Sequence, residues 1–469
     1  MFYGIEGLFY AQYHAMRKII YMLMCPLLLG SCHIYRNYER PEGLPVDSLY
    51  REPVAQNDTV SLGDLPWEEL FQDAKLQELI TYGLEHNTDM QIALLRVDQA
   101  QSQLKAARLS FLPSLTLSPQ GAVNRTDGGA TVKTYELPLQ ASWEVDLFGN
   151  LRNAKQATKA TLLEQEAYRQ AVRSELISTI ANDYYTLLML DEQIQISKET
   201  LEVWQEQVRT MELRLQVGEE TENAVTQARA SLYELEASYN DLLRQQHEAE
   251  NALCTLLGTT YRSVERTKLE MQSFPDSLQT GVPLRLLSHR PDVVQAEMTL
   301  ANAYYTTNQA RSAFYPNLTL SGSAGWTNSL GEAVRNPGGW ILSALASLTQ
   351  PIFNRGKLIS NLRVSKDEEQ IALLNYKQAL LQAGQEVNDA LYAVSSAKIS
   401  LDKHSRQCEE LNRSVQTAEM LYKTNNATYL EVLTARQSLL SARLNVVQDQ
   451  FTYCQSVINL YKALGGGSV

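Results

Sequence analysis

Histidine can act as a base, as a partner to a nucleophile or as a metal ligand, so the six in this chain of 469 residues are the first candidates for chemistry. His14, His33, His86, His247, His289 and His404 are scattered, and none has a partner four residues away on one helix face, as a zinc pair needs. There is no Gly-x-x-x-x-Gly-Lys phosphate loop and no Gly-x-Ser-x-Gly nucleophile elbow. The expectation is no enzyme, no metal and no cofactor. Cys32 is the residue placed for covalent chemistry. Arg17 and Lys18 precede an apolar run from Ile19 to Leu29, too short to cross a bilayer as a helix, and Leu29-Gly30-Ser31-Cys32 follows. Small residues just before a cysteine at the end of such a run read as a lipoprotein signal. Residues 1–31 are then removed and Cys32 carries the lipid, palmitate included. The alternative is an ordinary signal peptide with a chance cysteine.

Cys25 lies inside the signal. Cys254, Cys408 and Cys454 are widely spaced, odd in number and set in helical patterns, so they read as small buried hydrophobes. The formal charge is −12, and losing Glu6, Arg17 and Lys18 with the signal removes a net +1, leaving −13. An acidic chain argues against a nucleic-acid partner.

The elements that surround these residues are duplicated. Apolar residues recur every seven positions at Ile180, Leu187, Ile194, Leu201, Val208 and Leu215. They recur again, 207 residues later, at Val387, Val394, Leu401, Cys408, Val415 and Tyr422. Val225, Leu232, Tyr239 and Leu253 match Val432, Leu439, Val446 and Leu460 at the same offset, while Gln246 facing Tyr453 breaks the pattern. A repeated seven-residue period predicts left-handed coiled-coil hairpins. Their first arms run from about Leu151 to Val217 without Pro or Gly, and from about Lys357 to Thr424 with only Gly384. Gly218 and Asn425, residue types that adopt the left-handed conformation, mark the turns.

Shorter helices are expected from about Trp67 to Gly83, from Thr88 to Phe111 and from Pro291 towards Pro316. After Pro113 and Pro316 the period changes to two. Strands are expected over about 114–124, 135–146, 317–327 and 340–350. In the clearest one, Tyr135, Leu137, Leu139, Ala141, Trp143 and Val145 oppose Glu136, Gln140, Ser142, Glu144 and Asp146. Such strands suit either a half-buried soluble sheet or a membrane-spanning one with lipid on one face. In a membrane the sheet must close, and four strands are too few, so the chain would have to oligomerise. The expected organisation is a signal at 1–31, an anchored tether at 32–66, a first repeat at 67–258, a linker at 259–282 and a second repeat at 283–469.

Four stretches carry a family resemblance. They are Trp143-Glu144-Val145-Asp146-Leu147-Phe148-Gly149, His289-Arg290-Pro291-Asp292-Val293, Tyr429-Leu430-Glu431-Val432-Leu433-Thr434-Ala435-Arg436 and Leu460-Tyr461-Lys462-Ala463-Leu464-Gly465-Gly466-Gly467. In this order, over a duplicated hairpin, the chain resembles the TolC family of outer-membrane channel proteins, specifically its OprM-like lipoprotein subgroup. The resemblance implies a mainly α fold with a small β part. Its hairpins would form an α-barrel through the periplasm, and four transmembrane strands per chain would enter a twelve-stranded barrel of a homotrimer. It also implies an equatorial region around that α-barrel, a periplasmic adaptor, an inner-membrane pump of the RND type, and a lipid-anchored place in the outer membrane. The expected function is a passive exit duct for drugs or other small molecules in a tripartite efflux system. The alternatives are a duct for type I protein secretion, and a periplasmic coiled-coil adaptor or structural lipoprotein.

A duct works through the residues that line or close it. Glu136, Gln140, Glu144 and Asp146 are the lumen candidates, unless that face is merely solvated. Glu409, Glu410, Arg413 and Glu419, with Lys423, are candidates for a closed periplasmic aperture, against a plain reading as surface charges. Gly218, Glu219, Asn425 and Asn426, at the hairpin tips, are the expected adaptor contacts.

Overall fold

The computed structural model describes residues 37–44, 49, 62–125, 127–129, 131–272, 274, 290–328, 339–424 and 426–468. In chain order the helices and strands are α1 (Trp67–Leu70), α2 (Ala74–His86), α3 (Thr88–Leu109), β1 (Ser114–Leu117), β2 (Gln120–Asn124), β3 (Val132–Val145), α4 (Asn150–Gln216) and α5 (Glu222–Leu256). Then come α6 (Pro291–Ser312), β4 (Asn317–Asn328), β5 (Gly339–Thr349), α7 (Lys357–Lys423) and α8 (Tyr429–Ala463). The fold is mainly helical with one small sheet.

The long helices repeat with their boundaries conserved. Both α4 and α7 have 67 residues, and both α5 and α8 have 35. All four boundaries keep the 207-residue offset. At about 1.5 Å per residue the longer pair is about 100 Å long. Asp146 starts α4: its carboxylate accepts from the backbone N–H groups of Leu151 (3.2 Å) and Arg152 (2.9 Å), two of the unpaired donors of the first turn. Gly218 ends the α4 arm in the left-handed region (φ +79), and the Glu219 N–H closes back on the Arg214 carbonyl at 2.9 Å. The same closure recurs from Asn426 to Leu421 (2.8 Å), while Asn425 itself lies outside the described residues.

The chain forms two compact units, and α3, α4, α6 and α7 contribute to both. One unit holds the sheet, with Asp98–Glu164 and Ala296–Tyr376. Its strand order is β1, β3, β4, β5, with β2 also paired to β3, and every pairing is antiparallel. The strand expected at 114–124 is interrupted at Ser118-Pro119. Both pieces keep one register on β3, from Ser114 opposite Ser142 to Asn124 opposite Val132. Proline cannot donate to the ladder, so the break falls where Pro119 enters. Ser118 still donates to the Pro138 carbonyl at 3.1 Å.

The other unit holds Gly43–Val97, Gln165–Gln295 and Lys377–Val469. The helix expected from Trp67 to Gly83 is split, because Asp73 caps a new helix by accepting from the Lys75 N–H at 2.9 Å. The other Asp73 oxygen accepts from Tyr184 Oη, Thr267 Oγ1 and Gln272 Nε2, so the segment after α5 is tied to α4 at the start of α2. Arg266 pairs with Asp191 and Glu250 in the same region. Gly384, the lone glycine of α7, lies under Leu49: a Cβ there would sit 3.0 Å from a Leu49 methyl, and Asn388 donates to the Leu49 carbonyl at 2.8 Å. The apolar seam near the hairpin turns joins Leu201, Trp204, Val208 and Met211 of α4, Val225, Ala228, Leu232 and Leu235 of α5, and Tyr429 and Leu433 of α8.

Candidate conduit and gate residues

The two faces of the sheet differ in chemistry. Residues paired across strands share a face. Leu115, Leu117 and Val123 therefore join Leu137, Leu139, Ala141, Trp143 and Val145, then Leu318, Leu320, Ala324 and Trp326, then Trp340, Leu342 and Leu348. Among the described residues no layer covers this face: Leu342 is 86% exposed and Trp340 76%. Trp326 and Trp340 pack with ring centres 4.8 Å apart at one end. At the other, the Trp143 indole N–H donates to the Phe111 carbonyl at 2.9 Å.

The opposite face carries Thr116, Gln120, Glu136, Gln140, Glu144, Thr319, Ser321, Ser323, Thr327, Ser343 and Ser347. Glu136 stands opposite Thr327, Gln140 opposite Ser323 and Glu144 opposite Thr319, and the Ser323 and Ser343 hydroxyls meet at 2.8 Å. Glu136 and Gln140 are exposed and Glu144 is half-buried. Asp146 lies past the strand, and its carboxylate is engaged by the first turn of α4.

At the hairpin turns the structure separates the four aperture candidates. Glu410 and Arg413 pair with each other at 2.9 Å, three residues apart on α7 and about 70% exposed, so the pair links no two elements and contributes little. Glu409 is exposed on the same helix. Glu419 does bridge elements: its Oε1 accepts from Arg436 Nε (2.9 Å) and Nη2 (2.6 Å) on α8. Gly218, Glu219 and Asn426 are exposed.

Tyr422, Arg214, Glu220 and Arg436 are not among the aperture candidates that the sequence offers. Tyr422 Oη donates to Glu220 Oε2 at 2.6 Å and accepts from Arg214 Nη1 at 3.2 Å. The Arg214 guanidinium sits 5.2 Å from the Tyr422 ring centre, and its Nε is 3.6 Å from Glu219. This knot fastens the first hairpin's turn to the end of α7. Burial, then the hydrogen bond to Glu220, pushes the Tyr422 hydroxyl up to about 12, so it stays a donor at neutral pH. The available signal was a tyrosine at a heptad position otherwise held by Ile, Leu, Val or Cys.

Cys32 lies outside the described residues. Among the described residues, no group of three His, Cys, Asp or Glu side chains is placed to hold a metal ion, and no helix is long and apolar enough to cross a membrane.

A two-faced sheet in the same chain as duplicated long hairpins is the combination found in a class of outer-membrane ducts. The profile of the outer membrane efflux protein family matches residues 79–259 and 282–466. The chain belongs to that family, the TolC family of channels, and is an outer-membrane efflux component, which sets aside the adaptor and scaffold readings. It is 30% identical to the cation efflux system protein CusC of Escherichia coli O157:H7, over 94% of this chain and 97% of the relative. It is 28% identical to the toluene efflux pump outer membrane protein TtgC of Pseudomonas putida, over 96% of each. The solved open-state structure of the MtrE outer membrane channel of Neisseria gonorrhoeae superposes with a TM-score of 0.82 at 28% identity, covering 92% of this chain and 97% of that one.

Proposed function

We propose that three copies close the sheet into a twelve-stranded barrel, apolar face on lipid and polar face on water, and that the hairpins join as a coiled-coil α-barrel. The duct then works with a periplasmic adaptor and an RND-type inner-membrane pump. The observation that carries this reading is the apolar face left uncovered among the described residues, on a sheet whose outer strands β1/β2 and β5 have no further described strand beyond them. Neither open edges nor unpaired backbone groups are tolerated in hydrocarbon. Exposed Ile359, Val364, Ile371, Leu374 and Ile399 along α7 supply an apolar stripe for a neighbouring copy. The chain is read as two repeats, 67–258 and 283–469, joined by 259–282, behind a removed signal and a tether lipidated on Cys32. Electron microscopy of the detergent-purified full chain, with its particle mass, tests the assembly: a threefold tube is expected, and a monomer or a solid rod overturns it.

On the polar face, Glu136 and Glu144 are the carboxylates among the described strand residues, without Lys or Arg beside them. The lumen therefore favours cationic and neutral small molecules over anions. Exchanging both for lysine should shift single-channel selectivity towards anions, and unchanged selectivity would remove them from the lining. The closed aperture is held by Arg214–Tyr422–Glu220 and Glu419–Arg436, while the tip residues Gly218, Glu219, Asn425 and Asn426 meet the adaptor. Glu409, Glu410 and Arg413 are secondary candidates: alanine at Arg413 or Glu410 leaves conductance unchanged if their pair is only a helix-surface contact, and raises it if it restrains the aperture.

A further inference from the structure

Glu297, on α6, is a carboxylate with 6% of its side chain exposed, and the cation that answers it among the described residues comes from the N-terminal segment. Arg40 grips it with both arms, Nε on Oε1 at 2.9 Å and Nη2 on Oε2 at 2.7 Å. That fork-on-carboxylate geometry is the strongest form of the pair. Beside it, the Tyr38 N–H donates to Tyr305 Oη at 3.2 Å, and the Tyr38 ring meets the Tyr304 ring edge-on at 5.9 Å. Tyr376 of α7 is fully buried next to the pair. A strap held only by exposed charges would detach easily. Here detachment would leave a buried carboxylate unpaired, which costs far more than a surface ion pair contributes.

We propose that Arg40–Glu297 is a latch that fastens the N-terminal strap to α6 and so fixes where an anchor at Cys32 can enter the bilayer; the second clause rests on the lipid-anchor reading above. Chain length limits the reach. Arg40 lies eight residues after Cys32, at most about 28 Å of chain. Glu297 lies fifteen residues before the end of α6, about 22 Å along the helix. β4 starts five residues after that end, at Asn317. A latched strap is therefore long enough to bring Cys32 level with the end of α6, from which the chain leads into β4.

Hydrogen–deuterium exchange of the peptide covering residues 37–44, in the full-length protein purified in detergent, tests the latch. Glu297→Gln and Arg40→Ala should each speed exchange at least tenfold. The neutral pair Arg40→Met with Glu297→Leu should lie closer to wild type than Arg40→Ala does, because no buried charge is stranded. If Arg40→Ala fails to fold, Glu297→Gln carries the test, since it strands none. Exchange within twofold of wild type in Glu297→Gln would overturn the latch and leave Tyr38 packing as what holds the strap. Palmitate labelling, with Cys32→Ser as control, reads the anchor separately. Unlabelled protein with a tenfold exchange effect would keep the latch and remove the anchor clause.

Discussion

The hairpin seam and the sheet are both amphipathic, yet they solve the same problem differently. Along the seam, Trp204, Met211, Val225 and Leu433 cover one another within one chain. On the sheet, Leu117, Trp340, Leu342 and Leu348 are covered by nothing among the described residues. The difference lies in periodicity. A heptad stripe turned back on itself at Gly218 meets its own partner, whereas a single sheet layer has two faces and no return element to cover either. The seam therefore stabilises one protomer, while the sheet face has to find a solvent or a neighbour that matches it.

Substitutions can break this contrast, beginning with the largest effect. Trp204→Ala in the seam should cost about 3–5 kcal/mol in denaturant melts followed by circular dichroism, since it opens a cavity among fully packed neighbours. A loss below about 1 kcal/mol would mean the seam is not a core. Leu342→Arg on the uncovered face should cost about 2–4 kcal/mol in bilayers, seen as loss of a heat-modifiable oligomer after refolding into vesicles. If that face stands in water instead, the variant will assemble normally.

Tyr422→Phe keeps the seam packing and removes one hydroxyl that bonds to Glu220 and Arg214, a loss of about 1–2 kcal/mol. It should raise conductance of the resting channel, while an unchanged conductance would show that the knot holds the turn but not an aperture.

The smallest effect concerns Asp183 on α4, whose carboxyl is pushed from 3.8 to about 6 by burial alone. A raised carboxyl favours the protonated form in the folded state. Its penalty is absent below the unfolded value near 4, grows as pH rises between 4 and 6, and is complete above about 6. Asp183→Asn should stabilise the protein by about 1 kcal/mol at pH 8, discounted for partial exposure, and by nothing at pH 4. Equal melting shifts at both pH values would assign the change to packing.

Most of the architecture was legible in the linear pattern. The offset between the heptad runs, the turn at Gly218 and the alternation around Trp143 predict α4–α5, α7–α8 and β3 to within a few residues. These are local signals: a period says which face of an element is apolar, wherever that element ends up. The break at Ser118-Pro119 and the split at Asp73 were missed because each depends on one residue interrupting an otherwise good pattern. The lumen candidates on β3 followed from alternation alone, whereas the residues proposed for the gate did not. Glu410 and Arg413 looked equivalent to Glu419 in sequence, but only Glu419 reaches another helix.

Periodicity by itself determined that this chain has two matching hairpins and four strands' worth of two-faced sheet. Tertiary structure decided which charges meet. Arg40 finds Glu297 across 257 residues of sequence, and Tyr422 finds Glu220 across 202. Such pairs have no period. An ion pair or hydrogen bond forms only where the fold brings two specific atoms within about 3 Å, a condition set by how distant helices are packed and by nothing in the neighbourhood of either residue.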